Sequence, residues 1–427
     1  MFEDLATELI FQILLFCNSI QDAHALSLTC KRFHHIYASS QKLLILERVA
    51  ETQYGPLHDA VQLVTHNSSQ PAHIRRSAPF SLALLQQIVQ VGNVAQQWVD
   101  IYPLKKWKHN FEDRRLLSDS ERRRFRRALY RLWLYSRAFH NRRHPRETRK
   151  QKLIVMERAA LLHNWNTTEL AEIADVHTVL QQVVSANVCP SDGTVARKFR
   201  KRITDKEAHQ LLFNMQHLGI HQSNSNNGNS NASALWPNNQ LPARHHRHQL
   251  NQYNDPSSRY AAPKNAVANA NASAFAYDKY APSRYHDPGL EGWGDDINHY
   301  YVVQDMLKLD PAQILWLKER APLKRQIELY VRTLGESGDY ADGHTDSYPP
   351  GIFEAGYVGG IGSICNGDNV GGGAWDSWFE NNGETWVETL EWVLNERGED
   401  GAAFWAGLED GKTGIAVAQG IAAENVE

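Results

Sequence analysis

Apolar residues in this chain recur at three- and four-residue intervals wherever they are dense, and nowhere do they alternate with polar ones long enough for a strand. That pattern admits only helix-on-helix architectures. Pro79–Ser81 opens one such stretch, carrying Leu84, Ile88, Val91, Trp98 and Ile101. Ser118-Asp-Ser-Glu121 is a capping box, in which hydroxyl and carboxylate satisfy orphan backbone donors reciprocally. Phe125, Ala128, Leu132, Tyr135 and Phe139 follow it on one face, with arginines crowding the others. Thr204-Asp-Lys-Glu207 is a second capping box, ahead of Leu211, Leu212, Met215, Leu218 and a Gly219 stop. Asp310-Pro311 supplies an N-cap and a first-turn proline before Ile314, Leu315, Leu317, Ile327, Leu329 and Val331. A last helix is predicted around Trp386, Leu390, Val393 and Leu394. No repeat of about 20–50 residues occurs, which excludes a solenoid or propeller. The predicted fold class is mainly α.

Composition divides the 427 residues unevenly. Between His221 and Gly289 lie twelve asparagines with Ser, Ala and Pro and little aliphatic content, too little apolar surface to offset the entropy of ordering. A mean hydropathy of −0.52 fits a chain that is partly unpacked. The expected plan is an N-terminal helical unit at 1–45, a helical domain at 46–220, a disordered Asn-rich linker at 221–290, and a small acidic α-rich module at 291–427. That module contains a glycine-rich loop, Gly351 to Gly373.

The net charge of −3 conceals a polarity. Leu104–Arg158 holds 19 Lys and Arg against 6 Asp and Glu, whereas Gly335–Glu427 holds 2 against 18. The two regions either attract one another, meet oppositely charged partners, or are solvated faces. No run approaches the roughly 18 apolar residues of a membrane span. The opening MFEDLATELI is acidic where a secretory leader is basic, so no targeting segment is expected. Cys17, Cys30, Cys189 and Cys365 share no repeated spacing, which argues against a disulfide framework or a zinc site. The expected setting is a reducing compartment, cytoplasmic or nuclear, with no membrane.

The first forty residues carry the sharpest signal. Leu5, Leu9, Ile13 and Phe16 form one stripe with Ile10 and Leu14 beside it; after a break at Asn18-Ser19, Leu26, Cys30, Phe33 and Tyr37 form another. So short a segment cannot bury two wide stripes by itself, so part of this surface must meet the rest of the chain or another protein. Leu5-Ala-Thr-Glu8-Leu9-Ile10-x-x-Ile13-Leu14, then Asp22, Leu26 and Ser27-Leu-Thr-Cys30-Lys31-Arg32-Phe33, resembles the F-box family in both halves and in their spacing. An F-box ahead of a long tail without WD or Leu-rich repeats is similar to many fungal F-box proteins. The family's first-turn proline is Ala6 here, a loss of preorganisation worth about 0.5–1 kcal/mol. The resemblance implies a non-catalytic substrate receptor of an SCF-type ubiquitin ligase. It would dock on a Skp-type adaptor, and through it a cullin-RING ligase, while the remaining chain recruits an unknown protein substrate. The implied adaptor-contact set is Leu5, Ala6, Ile10, Ile13, Leu14, Leu26, Leu28, Cys30 and Phe33; Leu9, Phe16 and Tyr37 are expected in the unit's own core.

Catalytic constellations are not evident. Asp410-Gly-Lys-Thr413 lacks the earlier glycine of a phosphate loop, and Gly359-Gly-Ile-Gly362 lacks the dinucleotide spacing. His344 with Asp342 and Asp346 falls short of a facial iron triad, and His245-His-Arg-His248 lies in the Asn-rich stretch. No metal and no cofactor is expected. The alternatives to the receptor role are a scaffold without ubiquitin transfer, or a nucleic-acid binder acting through the basic region at 122–149. There Arg122, Arg123, Arg126, Arg127 and Arg131 could hold a polyanion or an acidic substrate, although such arginines are commonly just solvated. Candidate substrate surfaces are that helix, the glycine loop, and the tryptophans at 375, 378, 386 and 392.

Overall fold

The computed structural model describes residues 5–67, 70–109, 112, 114–141, 144–203, 292–294, 296–336 and 384–416. Among them there are helices and no strands, as the periodicity predicts. The Asn-rich stretch, the Thr204 capping box, the glycine loop, the histidine-bearing motifs, Cys365, Trp375 and Trp378 lie outside the described residues.

Four helices form the N-terminal part: α1 (Thr7–Leu15), α2 (Ile20–Ser27), α3 (Lys31–Tyr37) and α4 (Lys42–Tyr54). Ser19 caps α2 by accepting from the Asp22 amide at 3.0 Å. Then come α5 (Leu57–Val64), α6 (Leu82–Lys106), α7 (Asp119–Phe139), α8 (Lys152–Leu162), α9 (Thr167–Val183), which runs into a π-turn at Val184–Val188, and α10 (Asp192–Ile203). The remaining elements are α11 (Asp296–Met306), α12 (Pro311–Arg320), α13 (Lys324–Glu336), α14 (Trp386–Glu396) and α15 (Gly401–Glu409). The box expected at Ser118/Glu121 and the N-cap expected at Asp310 are present, and Gln313 makes the latter a capping box as well. A third, Asn166 with Glu169, opens α9.

Helix α7 is the axis of the molecule, packed by α5, α6, α8 and α9. Its expected stripe is buried, but so are Leu129, Tyr130, Trp133, Leu134 and Ala138, so apolar contact runs nearly all the way round. Two of its polar side chains finish the end of α4. Tyr130 Oη donates to the Tyr54 carbonyl and Arg126 Nε to the Gly55 carbonyl, both at 2.9 Å. These carbonyls have no partner within their own helix, and α7 supplies one.

The composition boundary near residue 290 is not a boundary of packing. Trp293, Met306, Ile314, Trp386, Leu390 and Ile415 belong to the same buried cluster as Trp98, Tyr135 and Ile173. Trp98 Nε1 donates to the Pro311 carbonyl at 3.0 Å, the Ile415 amide donates to Asp175 at 3.0 Å, and Arg397 donates to the Trp165 carbonyl at 2.7 Å. The described C-terminal helices therefore complete the core of the first half. Among the described residues Arg149 of the basic region meets Glu388 of the acidic one at 2.7 Å, and His163, just beyond the basic region, meets Glu396 at 2.8 Å.

Candidate interaction face

Helix α1 carries two adjacent apolar stripes, and the packing selects between them. Ile10 and Leu14 are wholly buried, joined by Phe33, Ile36 and Tyr37 of α3 and by Ile45 and Val49 of α4. The other stripe, Leu9, Ile13 and Phe16 at i, i+4 and i+7, faces outward with exposures of 52%, 39% and 77%. Leu28, at the corner between α2 and α3, is 65% exposed.

This placement corrects part of the implied contact set. Ile10, Leu14 and Phe33 are core residues and cannot touch a docked protein without opening the unit. Leu5, Leu26 and Cys30 are half-buried and packed against that core, while Ala6, Ile13 and Leu28 are exposed. Leu9 and Phe16, expected inside, are outside; Tyr37, expected inside, is inside. The sequence did contain the outward stripe, because Leu9, Ile13 and Phe16 were its main register. Periodicity fixes which residues share a face, and only the position of α4 decides which face is covered.

Around the face, Lys31, His34 and His35 of α3 and His24 of α2 are exposed, as are Glu8 and Asp22. Cys17, next to Phe16, is no activated nucleophile: partial burial, and then the neighbouring Asp22 charge, raise its pKa. Cys189 is buried and likewise raised, first by desolvation.

The arginines of α7 are placed quite differently from a polyanion-binding surface. Arg131 is buried, with Nε 2.9 Å from Asp59 and Nη1 2.9 Å from Glu169. Arg127 reaches Glu169 at 3.3 Å and Glu172 at 2.5 Å. Arg126 is buried on the Gly55 carbonyl, and Arg123 meets Glu51 at 2.5 Å. Arg122 is half-buried, with only Asp119 of its own helix near it, at 3.6 Å. Four of the five are thus engaged with acids or carbonyls of α4, α5 and α9. A phosphate would have to compete with partners already in place.

Burial tends to raise the Asp59 pKa, but hydrogen bonding to His58 and the charge and hydrogen bond of Arg131 hold it below the usual value. For Glu172 burial prevails over Arg127, and the pKa is raised. Among the described residues no group of three or more His, Cys, Asp or Glu is placed to hold a metal, and no helix is long and apolar enough to cross a membrane. Of the tryptophans at 386 and 392, Trp386 is core, and Trp392 is half-buried beside His163.

Comparison with protein-family models, curated proteins and solved structures returned no match. The F-box resemblance therefore rests on residues 5–33 themselves.

Proposed function

We propose that this chain is a recruiting subunit whose N-terminal helices dock on a Skp-type adaptor, making it the substrate receptor of an SCF-type ubiquitin ligase. The observation that carries the reading is the outward stripe of Leu9, Ile13 and Phe16, with Leu28, on a unit whose other face is anchored on α4. Six of the thirteen exposed large apolar side chains of the described residues fall within residues 9–44, a concentration that favours a partner surface over scattered exposure. A large apolar side chain with few charges to desolvate is the usual anchor of a protein interface. The internal pairing of the α7 arginines weighs against nucleic acid as the principal ligand.

The test is co-purification with a Skp-type adaptor, comparing wild type with Leu9→Asp/Phe16→Asp. Both positions are exposed, so circular dichroism is expected to be unchanged while capture is lost. Failure of the wild type to capture the adaptor at micromolar concentration, or undiminished capture by the variant, refutes the reading. Capture of the adaptor without a cullin would leave the scaffold alternative.

A further inference from the structure

The first turn of α14 is seated in a buried polar junction made from four other elements. The Glu384 side chain, immediately before the helix, is 5% exposed, and its Oε1 accepts from the Trp386 amide at 2.5 Å. Its Oε2 lies 3.8 Å from Nε2 of His140, at the end of α7. His140 Nδ1 is 3.2 Å from the Lys308 carbonyl, in the turn after α11. A carbonyl only accepts, so Nδ1 carries the hydrogen, and a neutral His140 turns the bare lone pair of Nε2 toward Glu384. An ionised carboxylate there would face a lone pair across 3.8 Å, a repulsion that a neutral acid relieves. The buried Glu384 carboxyl therefore fits this junction in its neutral form.

The surroundings replace that proton only in part: the Trp386 amide and the Lys308 charge favour the ionised carboxyl, but burial prevails over both. Lys308 Nζ is 2.9 Å from Asp305, which Arg146 also approaches at 3.5 Å. From α8, Arg158 Nε donates to Thr389 at 3.1 Å. From α7, Tyr135 Oη lies 2.7 Å from Thr385 Oγ1 and 2.9 Å from Thr389 Oγ1. From α9, the His177 ring lies 6.5 Å from that of Trp386 with its Nε2 unpartnered, and Glu388 pairs outward with Arg149. Trp386 Nε1 and His140 Nε2 are also without a hydrogen-bond partner.

We propose that this junction is a proton-operated latch: a proton held on the buried Glu384 carboxyl seats α14 on the scaffold, and losing it raises the population in which α14 lifts away. Lifting would uncover Trp386, Leu390, Val393 and Leu394, all wholly buried. The proposal is independent of the adaptor reading, since none of its residues lies in α1–α4.

The electrostatics give the sign. Burial pushes the Glu384 carboxyl up to about 8 from an ordinary value of 4.5. Between those values the seated state holds one proton more than the open one, so seating weakens as pH rises. Burial pushes His140 down to about 3 and His177 to about 4, from an ordinary 6.5. Below 6.5 the open state therefore binds protons that the seated state cannot, and seating weakens again as pH falls. Two histidines against one carboxyl leave a net gain of about one proton on opening at pH 4.5–6.5, and a net loss of about one at pH 6.5–8. Seating is strongest near the crossover at pH 6.5.

Hydrogen exchange of the 384–396 amides in the full chain, corrected for the intrinsic pH dependence of exchange, reads the opening constant directly. The wild type should show a minimum near pH 6.5, rising about tenfold per pH unit on either side. Glu384→Gln, isosteric and always neutral, should lose the alkaline limb and steepen the acid one, where the two histidines then act unopposed. If circular dichroism shows that Glu384→Gln does not fold, Glu384→Met serves the same purpose. Glu388→Gln, which removes an exposed carboxylate of the same helix, should keep both limbs. A wild type flat above pH 6.5, a neutral Glu384 variant that keeps the alkaline limb, or loss of that limb in Glu388→Gln would overturn the proposal.

Discussion

Replacing Arg131 tests whether the arginines of α7 hold the fold together or face a ligand. Its guanidinium is buried and lies 2.9 Å from carboxylates on two other helices, Asp59 of α5 and Glu169 of α9. Arg131→Met keeps most of the side-chain volume but leaves Asp59, itself nearly buried, with only the solvent-exposed His58 at 2.9 Å beside it. Removing one member of a buried ion pair costs about 3–5 kcal/mol, because the surviving charge stays desolvated and uncompensated. Replacing both partners with apolar groups of similar shape is often neutral, so Arg131→Met/Asp59→Leu should recover most of the loss, limited by the remaining Glu169 contact. A domain is stable by about 5–15 kcal/mol, so the single variant should lose a large share of it. Urea denaturation monitored by circular dichroism gives both values, and Asp59→Leu alone completes the double-mutant cycle that isolates the coupling. Arg122→Met is the control: its partner Asp119 is fully solvated at 3.6 Å, and no measurable change is expected. A single Arg131 variant as stable as wild type, or a double variant no better than the single, would refute the reasoning.

Four other substitutions follow from the packing. Ile10→Ala should cost about 2–5 kcal/mol by urea denaturation because Ile10 is wholly buried, whereas Phe16→Ala on the outward stripe should be near neutral; equal losses would contradict the assigned orientation of α1. Gly92→Ala reverses the usual gain from Gly to Ala in a helix interior, since a Cβ there would sit 2.3 Å from Cδ1 of Tyr54. A net loss of about 1–3 kcal/mol is expected, and a stabilised variant would show that α4 and α6 pack less closely than described. Although burial opposes ionisation of Glu121, the bidentate Arg115 contact at 2.6 Å and the Ser118 amide at 2.8 Å hold its pKa at about 2, against 4.5. Its stabilisation is present above pH 4.5 and disappears as pH falls toward 2. Arg115→Met should flatten that part of the stability–pH curve, and an unchanged slope would remove Glu121 from acid unfolding.

The helices were legible because their signals are local. Ser118 with Glu121 and Asp310 with Pro311 satisfy backbone donors within one turn, and both begin helices where expected. What a helix packs against is not local. The arginines of α7 read as an outer face because a three- to four-residue period shows only what shares a side. Their partners, Glu51, Asp59, Glu169 and Glu172, lie 38 to 72 residues away in sequence. The joining of both halves was hidden for a similar reason. Tyr135 meets Thr385 across 250 residues, with the whole Asn-rich stretch between them.

The interaction face shows the same limit at shorter range, and the consequence is functional. A motif match assigns contacts to positions, but α1 carries apolar residues on more of its circumference than a partner or a core alone can cover. Here α4 takes Ile10 and Leu14, leaving Leu9, Ile13 and Phe16. An Ile10→Asp variant would therefore lose adaptor capture by unfolding the unit, a result that carries no information about docking. Leu9→Asp/Phe16→Asp separates the two causes because it alters only what faces outward. The burial of α1, rather than its sequence, decides which loss of capture counts as evidence for an adaptor.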